Sequence, residues 1–310
     1  MGRTNADVVF AATETSIINV ETARSLVLQA QSSPSQGLWR VIVVEDADRL
    51  GESGANALLK AIEEPPEHTV WLLCAPSPED MIATIRSRCR HLGLRIPTAS
   101  AVADLLVREG VATPEVALEA ARAAQSHIGL ARALARDPQM RERRRAIITA
   151  PASVRSVGEA VMAADRLLET AKAQADAQVS ERNAREKAEL LRQLGMDEGE
   201  SATKASRTML RQLEEDQKRR SKRALTDAID RALIDLLAIY RDVLMVQVGG
   251  DGELINTDLS DLVHEIAQDS TLRQTLARVD HIETARRRLI ANGNPLLVLE
   301  DMAISLRPQA

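Results

Sequence analysis

An acidic pair, Glu45-Asp46, closes the apolar run Trp39-Arg40-Val41-Ile42-Val43-Val44, and Asp48 follows shortly after. Carboxylates at the end of a strand can hold magnesium and orient water, which is one part of what ATP hydrolysis requires. The remaining parts are a Gly-rich loop with Lys and Ser/Thr to cradle phosphates, and an arginine against the charge that develops during transfer. No G-x-x-x-x-G-K-[ST] stretch occurs in the sequence. Gly51-Glu52-Ser53-Gly54, the nearest glycine-containing loop, follows the wrong strand and lacks the lysine. Autonomous phosphate-loop chemistry is therefore not expected. Glu45, Asp46 and Asp48 also keep a plain reading, because an acidic residue after a strand is an ordinary helix N-cap. Cys74 and Cys89 are the only cysteines and lie far apart, which excludes a disulfide framework and a C-x-x-C zinc site. Two buried free thiols are expected instead.

The acidic pair needs a sheet behind it. Asp7 to Ala12, Trp39 to Val44 and Val70 to Ala75 are apolar at strand length, which suits parallel strands covered on both faces. Arg90 to Ile96 is a weaker candidate for a further strand. Helical patterns lie between the strands: Val20 to Gln31 after the N-cap candidate Asn19, and Ser53 to Glu63 before Pro65-Pro66. Strands alternating with helices define an α/β sheet domain over residues 1–97.

Beyond it the strand signal fades. Ala101 to Leu106, Pro114 to Ala124 and Ile128 to Ala135 read as the short helices of a small domain, residues 98–150, with Pro151 as its boundary. Residues 151–310 read as a helical bundle: Val157 to Leu194 and Ser206 to Val248 are long helices joined at Gly195 to Ser201. Leu225, Ile229, Leu233, Leu236, Leu237, Tyr240 and Leu244 form one apolar stripe. Gly249-Gly250-Asp251-Gly252 ends that helix. Two more helices, about Thr271 to Ala291 and Pro295 to Leu306, flank a Gly-centred cap at Asn292-Gly293-Asn294. Ala163 to Arg192 has few large apolar residues and reads as a solvated helix held by charge pairs, with a coiled-coil arm as the sharper alternative.

Composition limits the partners. The 310 residues carry a net charge of −5, which supplies no overall electrostatic footprint for nucleic acid, so any DNA contact must be local or shared. With 45% hydrophobic residues and only 1% aromatic, the apolar content is mostly Ala, Leu, Val and Ile, which favours helices. No secretory signal or membrane-spanning run is evident, so a cytoplasmic location is expected.

Three segments together resemble one family. Asn56-Ala57-Leu58-Leu59-Lys60-Ala61-Ile62-Glu63-Glu64-Pro65-Pro66 is similar to the Asn-Ala-Leu-Leu-Lys-x-x-Glu-Glu-Pro-Pro segment of the bacterial clamp-loader branch of AAA+ proteins, shared by gamma/tau and delta-prime subunits. Ser87-Arg88-Cys89 matches their Ser-Arg-Cys motif, and Glu45-Asp46 stands where ATPase members carry Asp-Glu. The resemblance implies that Arg88 is an arginine finger reaching a neighbouring subunit's ATP, while Glu45 and Asp46 are a non-functional remnant of the magnesium site. The plain reading of Arg88 is a surface ion pair.

Departures from the ATPase members point the same way. Ala75-Pro76 stands where they have a polar sensor, and Gly129, within Ser126-His127-Ile128-Gly129-Leu130-Ala131, stands where they have arginine. His127 is then a local packing or capping residue. Asn294-Pro295-Leu296-Leu297-Val298-Leu299-Glu300 is similar to the last collar helix of the delta-prime members. The resemblance implies an incomplete AAA+ sheet, a helical lid and an all-α collar. It further implies no nucleotide held by this chain, action on ATP-Mg in a neighbour, and partnership with gamma/tau and delta subunits. The sliding clamp and primed DNA are implied as partners through the complex, as part of DNA polymerase III holoenzyme, with no membrane. An active gamma/tau-type ATPase fragment and a non-replicative scaffold are the alternatives. Family members begin with a strand and phosphate loop, usually followed by a four-cysteine zinc module. The chain is accordingly expected to be a fragment, or else a shortened protein whose sheet closes up or is completed by a partner.

Overall fold

The computed structural model describes residues 5–11, 18–195 and 204–307. They form two compact units: Met1–Leu94 with Lys218–Arg223, and Arg95–Gln217 with Ala224–Ala310.

In the first unit, β1 (Val8–Ala11), β2 (Arg40–Val44) and β3 (Thr69–Leu73) form a parallel sheet in the order β1-β2-β3, with Val9, Ile42 and Trp71 in register. Ala12 lies outside the described residues. α1 (Val20–Ala30) crosses between β1 and β2, and α2 (Glu52–Glu63) between β2 and β3. Asn19 caps α1 by accepting from the Thr22 amide at 2.8 Å, as the sequence indicates. Ile42 and Val44 are fully buried against Leu26 of α1 and Leu58 of α2. Gly54 permits the approach of α2, since a Cβ there would stand 2.8 Å from the Ile18 carbonyl oxygen.

Two strand expectations are corrected. The sheet is not covered on both faces: Phe10, Val70 and Leu72 are 36–48% exposed, because α1 and α2 both pack on the Ile42/Val44 side. Arg90 to Ile96 forms no strand, and Leu92, Leu94 and Ile96 are at least 80% exposed. Among the described residues β3 pairs with β2 alone, so this alternating segment finds no neighbouring strand there on which to form a ladder. The burial expected of the cysteines is also corrected: Cys89 ends a turn just before this segment, Cys74 follows β3, and both are exposed.

A short helix, α3 (Ala83–Arg86), completes this unit, anchored by the fully buried Ile85. The second unit begins with α4 (Ala99–Arg108), α5 (Pro114–Ala123) and α6 (Ile128–Arg136), whose core is alanine with Val102, Leu106 and Leu134. α7 (Pro138–Ser153) runs through Pro151, so that residue marks a last helical turn rather than a break. This helix is not among those expected from the sequence; its start is fixed by Asp137, which accepts from the Gln139 amide at 2.9 Å, and by Pro138 at the first position.

α8 (Val157–Gln193) and α9 (Lys204–Gln247) are the long helices; residues 196–203 of their connection lie outside the described residues. α10 (Ser260–Asp269), α11 (Leu272–Ile290) and α12 (Pro295–Ser305) follow. The α9 stripe supplies Ile229, Leu233, Leu236 and Tyr240 to a core shared with Ile148, Ile282 and Leu299. Inside this bundle Arg144 donates to Asp235 at 3.0 Å and to Asn256 at 2.5 Å, while both Asp242 oxygens accept from the Ile255–Asn256 segment. At Asn292-Gly293-Asn294 the left-handed residue is Asn292 (φ 62°), not the glycine, and Gly293 is needed because a Cβ would stand 2.8 Å from the Arg288 carbonyl oxygen. α8 carries charge pairs, Lys172 with Glu169 and Arg182 with Glu186. It also buries Ala164, Leu168, Ala171, Ala175 and Val179, the last two against Ala224. The purely solvated reading is thereby corrected: alanine lets helices approach closely enough to bury a seam without large side chains.

Candidate functional site

Arg88 is presented by a turn fixed at both ends. Ile85 pins α3 into the core, the Arg88 amide donates to the Ile85 carbonyl at 3.0 Å, and the exposed side chain turns toward the end of α2. Its Nε–H forms an ion pair with Glu63, the last residue of α2. Its Nη1 donates to the Thr84 carbonyl at 2.9 Å and to Ser87 Oγ at 3.2 Å. Among the described residues Nη2 has no hydrogen-bond partner. The surface ion pair of the plain reading is thus present, and it joins the two motifs that were singled out separately.

The acidic strand end is built differently. The Glu45 amide continues the β1–β2 ladder by donating to Ala11 at 2.9 Å, and the Ala47 amide donates to Cys74 at 2.7 Å. Between them Asp46 takes a left-handed conformation, φ 53° and ψ 47°, and its side chain caps no helix. Instead Asp46 Oδ2 accepts from Arg223 Nη2 at 3.0 Å and stands 4.0 Å from Arg49 Nε. Asp48 Oδ1 is buried without a partner.

A magnesium ligand must offer free oxygen to the metal. Asp46 offers it to two arginines, and among the described residues no three His, Cys, Asp or Glu side chains group closely enough to hold a metal ion. Among the described residues only Oδ2 of Asp46 is engaged in this way, and the side chain stays 40% exposed. Arg223 could not be found from spacing, since it lies 177 residues from Asp46. Glu63 was within the recognised segment, but no spacing rule connects it with Arg88.

Ala75 and Pro76 after β3 bring a methyl group and a ring, so neither side chain there can donate to a phosphate. In the second unit His127 Nδ1 accepts from the Leu130 amide at 3.1 Å, which makes it the N-cap of α6, as expected. Gly129, in the first turn of that helix, offers no side chain.

An open three-stranded parallel sheet thus carries, in one α/β unit, an exposed arginine tied to Glu63 and an acidic strand end whose Asp46 is paired with Arg223. Residues 2–98 match the family described as "DNA polymerase III, delta subunit". The delta' subunit of Yersinia pestis is 43% identical over 82 residues, covering 26% of this chain and 24% of that protein. The delta' subunit of Escherichia coli K12 is 35% identical over 117 residues, covering 38% of this chain and 35% of that protein. The gamma/tau subunit of Mycobacterium bovis is 38% identical over 89 residues, covering 29% of this chain and 15% of that protein. The matched stretch thus spans 15% to 35% of the length of these relatives.

Proposed function

We propose that this chain is a delta-prime-type subunit of a DNA polymerase III clamp loader, acting in DNA replication. In this reading it hydrolyses no ATP itself and supplies Arg88 in trans to the magnesium-bound ATP of a neighbouring gamma/tau subunit. The open α/β unit is the remnant of an AAA+ core, residues 98–150 serve as its lid, and residues 151–310 join the collar that holds the ring together. Gamma/tau and delta subunits are the direct partners. The sliding clamp and primed DNA are engaged through the assembly, in the cytoplasm. Among the described residues no helix is long and apolar enough to cross a membrane.

The observation that carries the reading is the presentation of Arg88: it stands in an exposed turn, tied to Glu63, Thr84 and Ser87, with Nη2 free of a hydrogen-bond partner among the described residues. During phosphoryl transfer, negative charge spreads over the equatorial oxygens of the transferred group, and the remaining work is positioning and electrostatic stabilisation. A planar guanidinium that stays charged at any relevant pH can oppose that charge without a proton being moved. Ala75 and Gly129 leave the two sensor positions without polar side chains, which agrees with hydrolysis elsewhere.

The similarity to gamma/tau subunits favours one second reading, an ATPase of that type. The test is ATP turnover by the isolated chain, and by gamma/tau and delta subunits with and without it. The proposal requires no turnover alone and stimulated turnover in the mixture. Turnover by the isolated chain favours the ATPase, and no effect on the mixture favours a non-replicative scaffold.

A further inference from the structure

A finger works only if its guanidinium is aimed. An arginine side chain has many rotamers, and an exposed one divides its time among them, so some group must fix the plane. In this chain the fixing groups are visible. Glu63 holds Nε, the Thr84 carbonyl and Ser87 Oγ hold Nη1, and Nη2 alone is left over. Thr84 and Ser87 belong to the same turn as Arg88 and move with it. Glu63 comes from α2, so it alone ties the guanidinium to a separate element, and that element is packed into the core through Leu58 and Ala55.

We propose that Glu63 is a positioning residue: it fixes the guanidinium of Arg88 so that the free edge, Nη2–H, faces an incoming anionic oxygen. This rests on the finger role proposed above and adds the group that aims it. The chemistry needed at position 63 is an acceptor at the reach of a glutamate side chain. A negative charge is not needed, because the arginine is charged whatever its partner. Glu63→Gln keeps an acceptor oxygen at the same reach, whereas Glu63→Ala removes it. Both side chains of the pair are more than a third exposed, so the interaction adds little to stability and its loss leaves the chain folded.

The first measurement needs only the folded full chain. The Arg88 Nε–H resonance, assigned by its loss in Arg88→Ala, should exchange slowly with solvent in the wild type and in Glu63→Gln, and rapidly in Glu63→Ala. Equal exchange in wild type and Glu63→Ala overturns the proposal. The second measurement is ATP hydrolysis by gamma/tau and delta subunits reconstituted with each variant. Arg88→Ala should lose stimulation by at least about tenfold. Glu63→Ala should lower kcat by about tenfold with KM unchanged, since a misplaced group costs rate rather than binding, while Glu63→Gln stays within about twofold of wild type.

A loss in Arg88→Ala with no loss, or a gain, in Glu63→Ala overturns the positioning role and leaves the finger standing. Equal losses in Glu63→Gln and Glu63→Ala also overturn it, because charge and not an aimed acceptor would then be the requirement. Unchanged hydrolysis in Arg88→Ala instead refutes the finger.

Discussion

Arg88 and Asp46 both come from segments that look catalytic, and each side chain is more than a third exposed and paired with an opposite charge, Arg88 with Glu63 and Asp46 with Arg223. Asp46 Oδ2 is paired with Arg223, so replacing Asp46 with Asn should cost little, about 1 kcal/mol or less for a side chain that is 40% exposed, and should create no ATP turnover. A thermal melt and an ATPase assay on Asp46→Asn check both. Asp7 makes the strongest local polar anchor: buried below β1, it accepts from the amides of Ser35, Gln36 and Gly37 and from Ser35 Oγ at 2.5–2.9 Å. The Ser35 amide above all, with those of Gln36 and Gly37, outweighs burial and holds the carboxyl well below the usual carboxylate range. Because its folded value lies below the unfolded one, Asp7 stabilises the fold above the ordinary carboxylate pKa of about 4, and that stability is lost as pH falls below it. Asp7→Asn should melt lower at neutral pH and show a shallower acid limb. Tyr240, the sole tyrosine, reports on the bundle core: burial pushes its hydroxyl up to about 12 despite Arg278, whose guanidinium lies 5.8 Å from the ring centre. Its raised value makes its contribution complete below the ordinary tyrosine pKa of about 10 and lost as pH rises toward the folded value. Tyrosinate absorbance should therefore appear only as the folded chain approaches pH 12, and a midpoint at the ordinary value would contradict this burial.

At the scale of elements, the presentation of Arg88 depends on α3, a helix too short to stand without Ile85. Ile85→Ala should cost about 3 kcal/mol by chemical denaturation and weaken any function of Arg88 as well, while Ile85→Val costs about 1 kcal/mol. Arg90 to Ile96 is exposed and outside any helix or strand, so trypsin should cut first at Arg90 or Arg95, ahead of the many arginines in α8 and α9. Cleavage beginning within those helices would contradict the described packing. Much of this level was legible in the sequence where the signal was local. Asn19 before α1, the Pro pair after α2 and the stripe on α9 each mark an element by its own residues. What escaped was set by neighbours: Arg90 to Ile96 has the alternation of a strand but no partner, and the seam of α8 is alanine, whose burial depends on what stands opposite. α7 was hidden by its arginines, one of which, Arg144, is buried only because Asp235 and Asn256 receive it.

For the whole molecule, the site divides along the same line. Arg88 and the acidic pair were readable from motif and strand position, but Glu63 and Arg223, which decide what those groups can do, were invisible because their contacts span 25 and 177 residues. The proposed function makes Arg88 serve chemistry on a neighbouring subunit, and its exposed, Glu63-tied guanidinium is what supports that proposal. The measurement that tests this most directly is ATP hydrolysis by gamma/tau and delta subunits reconstituted with wild-type chain, Arg88→Ala or Arg88→Lys. Loss of stimulation in both variants, with assembly intact, is the result the account predicts, since lysine cannot reproduce the fork of donors. Wild-type hydrolysis by the Arg88→Ala assembly would contradict it.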